Sequence, residues 1–516
     1  MKTPIKLTFV LYTIVLTGLL LASGYFVYRS FYTNVSLCKK CNVVIIDLDV
    51  LRADDLPCYG YRRNTAPNLC KFASRATLFK QNYSQANWTL PSIFSTITSL
   101  YPWAHGVKSE FVNLLSPAVT TLAEQFRAGG YYTAFVGPKE QFYLINNANG
   151  GTRGFDSFQD PPGDMRNVLN NLYASHKPFL LHYYVEAAHI PYLLEREGDQ
   201  MEALPKPPGL SITQKDYDSV LGNYLKANYN NIFTQKAIAE RPDLFTDSAL
   251  GANERLANFF NTKLASVTQH DYIIRAWRPQ LNSYVQFINV KNPSHMAYLR
   301  MLYDSKIKEA DNKLGALLTL LSSPRLERNT IVVVMSDHGE AFGEHGTISH
   351  ENDPYTELYY TPLVVRVPGQ KPRVTDSVSQ NIDIFPTLLS LVGIPPVAQA
   401  QGTSLVSIIR GETPKEDRYA VSESEVGEII QNKEWMLLWH QATSSARAVE
   451  LYHKLSDPTE QTNLAGLPQY ANQKQKLFSL LQKIRNDTSA PLAVPSVVPP
   501  WMDQKTLERL KREGYF

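Results

Sequence analysis

Asn42-Val-Val-Ile-Ile-Asp47-Leu-Asp49 is an apolar run that turns acidic at its end. Val43 to Ile46 leave no polar side chain on either parity, so the segment is expected to be a strand buried on both faces, as in a parallel sheet between helix layers. Asp49 then falls at the carboxyl edge, where open α/β sheets bind their ligands. Asp47 shares its parity and reads either as a second site acid or as an ordinary loop acid.

The same pattern recurs in Thr330-Ile-Val-Val-Val-Met-Ser336, which delivers Asp337-His338-Gly339-Glu340. A carboxylate and an imidazole side by side make half of a divalent-metal site, because both donate lone pairs and Gly339 permits a tight exit. Taken alone, the tetrapeptide reads equally well as an exposed polar turn. His345 and His350 follow in the next loop. Between the two strands, Thr121–Gly130 reads as a helix closed by glycine and Tyr131–Gly137 as a strand. Pro178–Val185 is a further strand, running into His189-Ile-Pro191-Tyr192. Ser294–Leu321 is a long amphipathic helix, PLVVRVP (Pro362–Pro368) is expected to close the main sheet, and Asn381–Gly393 reads as a helix. Strands alternating with helices predict an α/β fold with a doubly wound sheet and helices on both faces.

Asn87-Trp88-Thr89-Leu90-Pro91-Ser92 supplies a hydroxyl at the threshold of a helix that Pro91 starts and Tyr101-Pro102 stops. Free amides and the positive end of the helix dipole suit such a place to a phosphate or sulfate group, which a hydroxyl there could attack. The plain alternative is that Thr89 caps the helix. Asn87-Trp88-Thr89 also matches a glycosylation acceptor, but a glycan there would block the hydroxyl.

With 516 residues, 44% hydrophobic, the chain can bury a full core and carry an appendage. Its net charge of +3 does not suggest nucleic acid. No charged residue occurs between Lys6 and Arg29, so residues 7–28 are expected to cross a bilayer as a single-pass anchor. That apolar stretch is longer than the usual core of a cleaved signal, although Ala22-Ser23-Gly24 leaves cleavage open. Cys38, Cys41, Cys58 and Cys70 read as disulfides of an oxidising compartment, pairing undetermined, rather than half a zinc finger. Three units are expected: anchor and tether (1–41), a catalytic domain (42–411) with a possible cap over 195–293, and a C-terminal part (412–516). In the last, strands at about Tyr419–Glu423, Gly427–Trp439 and Ala448–Leu455 and a helix at Tyr470–Asn486 predict an α+β subdomain. A Pro-rich wrap (Pro491–Pro500) and a short terminal helix near Gln504–Glu513 would complete it.

These pieces, over most of residues 42–465, resemble the sulfatase family of the alkaline phosphatase superfamily. The resemblance rests on Asp49-Val-Leu-Arg-Ala-Asp54 through Gly60, Thr89 with Tyr101-Pro102-Trp-Ala-His105-Gly-Val, and Thr121-Leu-Ala-Glu through Gly130-Tyr. It continues in His189-Ile-Pro-Tyr192, Ser336-Asp-His-Gly-Glu340, Pro386-Thr-Leu-Leu389 and Glu450-Leu-Tyr through Asn463-Leu-Ala465. It implies that Asp49, Asp337 and His338 hold a divalent cation with Thr89 as nucleophile and fourth ligand. It places His189 and His350 where the ester's oxygens are bound or the leaving group protonated, with His105 and Lys139 as weaker matches. Sulfatases carry Cys or Ser in C/S-x-P-x-R, oxidised to formylglycine; Thr89-Leu-Pro91-Ser-Ile93 lacks both the oxidisable residue and the Arg, so no formylglycine is expected. Val50 stands where a second metal-binding aspartate is usual. Thr at the metal is similar to phosphoethanolamine transferases and lipoteichoic acid synthases.

The expectation is therefore a membrane-anchored, periplasmic or otherwise extracytoplasmic, metal-dependent ester hydrolase or transferase. Thr89 would be its nucleophile, and phosphoryl-type esters, lipid- or glycan-linked, its favoured substrates. The alternatives are a sulfate ester hydrolase using unmodified Thr89 and a non-catalytic binding protein. Imidazole with carboxylates suits zinc or manganese, whereas the resemblance points to calcium or magnesium.

Overall fold

The computed structural model describes residues 37–108, 114–138, 145, 149–159, 164–189, 192, 201, 288–350, 354–424, 426–440 and 449–488. Strand β1 (Asn42–Leu48) is buried along its whole length. Its side chains divide between two cores: Val44, Ile46 and Leu48 join one apolar cluster, Val43 and Ile45 another. A strand covered on both faces must lie inside its sheet.

The chain continues through α1 (Pro67–Ala73), β2 (Thr77–Tyr83), α2 (Thr89–Thr98), α3 (Pro102–His105), α4 (Leu122–Ala128), β3 (Tyr132–Val136) and β4 (Ser157–Gln159). Next come α5 (Met165–Ala174), β5 (Phe179–Val185), α6 (Pro293–Leu321), α7 (Pro324–Glu327), β6 (Thr330–Met335) and a small hairpin, β7 (Ala341–Phe342) and β8 (Ile348–Ser349). Then follow β9 (Leu363–Arg366), β10 (Arg373–Gln380), α8 (Ile384–Val392) and α9 (Val406–Arg410). The C-terminal part holds β11 (Ala420–Glu423), β12 (Gly427–Gln431), β13 (Trp435–His440), β14 (Val449–His453) and α10 (Ala471–Thr488).

Eight strands form one sheet in the order β10-β2-β9-β6-β1-β5-β3-β4. The expected α/β architecture is present, with one correction. PLVVRVP does not close the sheet: β9 lies inside it, antiparallel to both β2 and β6, and the edges are β10 and β4. The sheet is therefore mixed. Edge strand β10, RVTDSVSQ, half exposed and polar, lacked the apolar signal that marks an interior strand. Helices α1, α5 and α6 pack on one face, α4, α8 and α9 on the other.

All ten residues of α2 are buried. Leu90, Ile93, Phe94 and Ile97 pack with Phe135 and Tyr184; fully burying side chains of this size stabilises by about 1.5–3 kcal/mol each. The opposite hydroxyls are satisfied internally: Ser92 donates to the Ala86 carbonyl, Thr96 to Ser92 and Thr98 to Phe94. The helix that carries Thr89 is thus an internal strut.

Strands β11–β14 form a separate antiparallel sheet, against which α10 packs Leu477 and Leu481. The single strand expected over Gly427–Trp439 is instead the hairpin β12–β13, because Asn432 Oδ1 accepts the N–H groups of Glu434 and Trp435 and turns the chain. The cysteines pair as Cys38–Cys41 and Cys58–Cys70. Among the described residues no helix is long and apolar enough to cross a membrane. The anchor expected over 7–28, nearly all of the cap expected over 195–293, Lys139, and the segments Pro491–Pro500 and Gln504–Glu513 lie outside the described residues.

Candidate active site

Parallel strands β1 and β6 are neighbours, so their carboxyl ends bring Asp49 beside Asp337 and His338. Ligand atoms of these three buried residues lie within 4.8 Å of one another. The turn after Asp49 is gripped from several sides. Val50 adopts φ +57°, and its N–H donates to Asp337 Oδ1 at 3.2 Å. The Leu51 N–H donates to Ser336 Oγ at 2.9 Å. The Tyr303 hydroxyl donates to the Val50 carbonyl at 2.7 Å and accepts the Arg52 N–H at 3.1 Å. Gly339 is required by a close approach, since a Cβ there would stand 2.0 Å from the Glu357 carbonyl oxygen.

Thr89 is the first residue of α2, not a residue outside it, and Trp88 holds the cap position without capping the helix through its side chain. The Thr89 hydroxyl turns instead to His338, with Oγ1 3.2 Å from Nε2. His338 Nδ1 donates to the Gly339 carbonyl at 2.9 Å, which leaves Nε2 as the lone-pair nitrogen facing Thr89. Asp337 Oδ2 and Asp49 Oδ1 stand 3.6 and 3.8 Å from that nitrogen.

Neither carboxylate oxygen of Asp49 meets a hydrogen-bond donor of suitable geometry, although both are buried. Burial, and then the charge of Asp337, push its carboxyl well above the usual range. Two buried carboxylates this close are destabilising unless a cation joins them. The residues present fit a divalent cation, and Asp49, Asp337, His338 and Thr89 are the groups that could hold one. The Tyr184 hydroxyl donates to Asp337 Oδ2 at 3.4 Å.

His350 and His189 join the cluster through ring contacts. The His350 ring centroid lies 4.6 Å from that of His338 and 4.9 Å from that of His189. Glu340, absent from the candidates drawn from sequence, accepts from His350 Nδ1 at 2.9 Å and from the Tyr192 hydroxyl at 3.0 Å. Burial pushes its carboxyl up to about 7, against the opposing pull of His189 and His338. Its only signal was its place in Ser336-Asp-His-Gly-Glu340. Asp47 lies deeper in β1, where Oδ2 is 3.5 Å from His182 Nε2 and burial pushes the carboxyl up to about 6.

Two other histidines are engaged elsewhere. His105 Nδ1 accepts the Val107 N–H at 3.0 Å and Nε2 donates to Ser95 Oγ at 3.1 Å, which ties α3 to α2. His345 donates to Glu357 at 2.8 Å and to the Glu460 carbonyl at 3.2 Å while stacking on Tyr355.

The sulfatase family model matches residues 41–394, and one described as N-sulphoglucosamine sulphohydrolase, C-terminal, matches residues 343–487. The chain is 22% identical over 499 residues to the N-acetylglucosamine-6-O-sulfatase of Bacteroides thetaiotaomicron, with 86% of each chain covered. A solved structure in complex with its substrate D-glucosamine-2-N,6-O-disulfate superposes with a TM-score of 0.63 at 20% identity, over 87% of this chain and 98% of that one. The phosphonate monoester hydrolase of Agrobacterium radiobacter superposes with a TM-score of 0.60 at 18% identity, over 87% and 96%. The fold is alkaline-phosphatase-like. The family match spans more than half of the chain and includes Asp49, Thr89, His189, Asp337, His338 and His350; the chain belongs to the sulfatase family, whose members are hydrolases.

Proposed function

We propose that this protein transfers or hydrolyses phosphoryl-type esters, with the unmodified Thr89 hydroxyl as nucleophile. The observation that carries the reading is the buried Thr89 Oγ1 at 3.2 Å from His338 Nε2, beside two buried carboxylates. A divalent cation held by Asp49, Asp337, His338 and Thr89 would lower the pKa of a hydroxyl and offset charge on the transferred group.

The residues' own roles follow from their atoms. Thr89 loses its hydroxyl proton to solvent, and Oγ1 forms a bond to phosphorus as the ester O–P bond breaks. The departing oxygen takes a proton from His350 or His189. Water or an acceptor alcohol then attacks phosphorus and gives its proton back to that histidine; the bond to Oγ1 breaks, and Oγ1 recovers its proton from solvent. Glu340 keeps its hold on His350 Nδ1 throughout, which fixes the ring's orientation.

Thr89 supports phosphoryl rather than sulfuryl chemistry because it lacks the second hydroxyl through which a formylglycine hydrate expels sulfate by elimination. The second reading, sulfate ester hydrolysis by unmodified Thr89, is supported by the activity that the name of the Bacteroides relative states. A glycan-linked ester fits the same relative, and a lipid-linked one fits the anchor proposed over residues 7–28. Two disulfides support an oxidising, extracytoplasmic location for the catalytic region.

The test assays the purified protein against aryl phosphate, an aryl phosphonate monoester and aryl sulfate, with and without chelator. Chelator-sensitive turnover of the phosphorus esters, faster than that of the sulfate, is expected. Turnover confined to the sulfate ester overturns the phosphoryl preference.

A further inference from the structure

The amino ends of the parallel strands form the edge of the main sheet that lies opposite the active site, and the tether arrives there, because β1 begins at Asn42 just after the Cys38–Cys41 pair. We infer that this edge docks on an anionic lipid surface and so holds the active site facing away from the bilayer. The inference rests on the anchor proposed over residues 7–28.

The turns that feed this edge are basic. Lys39 and Lys40 sit on the tether itself, Arg75 precedes β2, Lys177 precedes β5, Arg328 precedes β6, and Lys371 lies between β9 and β10; all of them are exposed. The acids on the same turns are already engaged among the described residues. Glu327 lies 3.6 Å from both Arg75 and Arg366, and Asp156 lies 3.2 Å from Arg127. Glu412, Glu416 and Asp417 bound the basic region on the β10 side, where they share a cleft with Arg373. The whole chain carries a net charge of only +3, so the excess belongs to this edge and not to the surface at large. About four to eight Lys or Arg side chains beside a membrane anchor are enough to attract anionic headgroups.

The place where the tether joins the domain is what points these charges at a bilayer. The Cys38 N–H donates to the Leu391 carbonyl at 3.0 Å and the Lys40 N–H to the Val392 carbonyl at 3.4 Å, which pins the described end of the tether to the last turn of α8. Residues 29–36 reach at most about 28 Å beyond it, even fully extended. The basic edge therefore stays within that reach of a bilayer that holds residues 7–28. Strand β1, rising about 3.3 Å per residue, puts Asp49 about 20 Å farther off. Docking on this edge turns the site outward, which favours a glycan-linked ester over a lipid-linked one in the same membrane.

The test reconstitutes the full-length protein in vesicles of phosphatidylcholine, alone or mixed with phosphatidylglycerol, with an acceptor dye on the lipid headgroups. A donor dye is attached at Asn329→Cys on this edge or at Asn64→Cys on the other, both exposed positions, and thermal melts confirm folding. In mixed vesicles, energy transfer from Asn329→Cys is expected to exceed that from Asn64→Cys about 2-fold or more. It is expected to fall to the neutral-vesicle value in about 1 M salt, which shortens the screening length to about 3 Å. The triple substitution Lys177→Glu, Arg328→Glu and Lys371→Glu is expected to lower it in the same way. Transfer that ignores lipid charge, salt and the triple substitution, or that is greater from Asn64→Cys, overturns the docking and leaves the anchor standing. Protein that fails to float with either kind of vesicle after an alkaline wash overturns both.

Discussion

Thr89 Oγ1 and His338 Nε2 lie 3.2 Å apart although 249 positions separate them in the chain. The first comes from the opening residue of a buried helix and the second from the end of an interior strand, so neither can move without repacking a core. Thr89→Ala is expected to lower turnover on the order of 10³-fold or more, with Thr89→Ser retaining part of it. Steady-state kinetics check this, together with mass spectrometry for a modified Thr89 after rapid quenching. Turnover surviving in Thr89→Ala would show that the hydroxyl is not the attacking group.

Glu340 acts through His350, whose Nδ1 it engages at 2.9 Å. His350→Ala is expected to lower kcat on the order of 10²–10⁴-fold if its imidazole supplies the leaving-group proton. Glu340→Gln keeps an acceptor for Nδ1–H and is expected to retain more activity than Glu340→Ala. Equal losses in the two Glu340 variants, at unchanged melting temperature, would refute the positioning role.

Two histidines away from the site give stability opposite pH slopes. Burial alone would lower the His345 pKa, but the hydrogen bond and charge of Glu357, with the Glu460 carbonyl, push it up to about 9. The charged form is favoured by the fold, so its contribution is complete below about pH 6.5 and is lost as pH rises through about 9. Burial, then the charge of Lys108, lower the His105 pKa to about 3. Here the neutral form is favoured, so stability is complete above about pH 6.5 and is lost as pH falls toward about 3. Denaturation midpoints across pH should flatten at the alkaline end in His345→Gln; an unchanged alkaline slope would count against the assigned partner.

The two disulfides close loops of unequal length, with sequence separations of 3 for Cys38–Cys41 and 12 for Cys58–Cys70. Loop-closure entropy assigns about 2 kcal/mol to the shorter and about 3 kcal/mol to the longer. Replacing Cys58 and Cys70 together by alanine is therefore expected to cost more stability than replacing Cys38 and Cys41, as read by denaturant titration. The reverse order would mean that native-state packing, not chain entropy, dominates.

Much of this was legible along the chain because buried strands and helix starts are short-range patterns. Asn42–Leu48 and Thr330–Met335 form strands because their apolar side chains leave no face to water. Asp49 and Asp337 follow as the first acids past those ends. The role of Glu340 is not legible in the chain, because nothing between it and His350 shows that a turn brings the two side chains together. The apolar run of β9 looks the same inside a sheet as at its border, and only its partners β2 and β6 distinguish the two.

The amino-acid order by itself determined an α/β fold, the acidic ends of two interior strands and a hydroxyl at the start of a helix, since periodicity and residue identity are local properties. Strand order, cysteine pairing, the left-handed turn at Val50 and the meeting of Thr89 with His338 were decided only by the folded chain. Each of these is a relation set by packing across the core, between groups whose separation in sequence carries no trace of their distance in space.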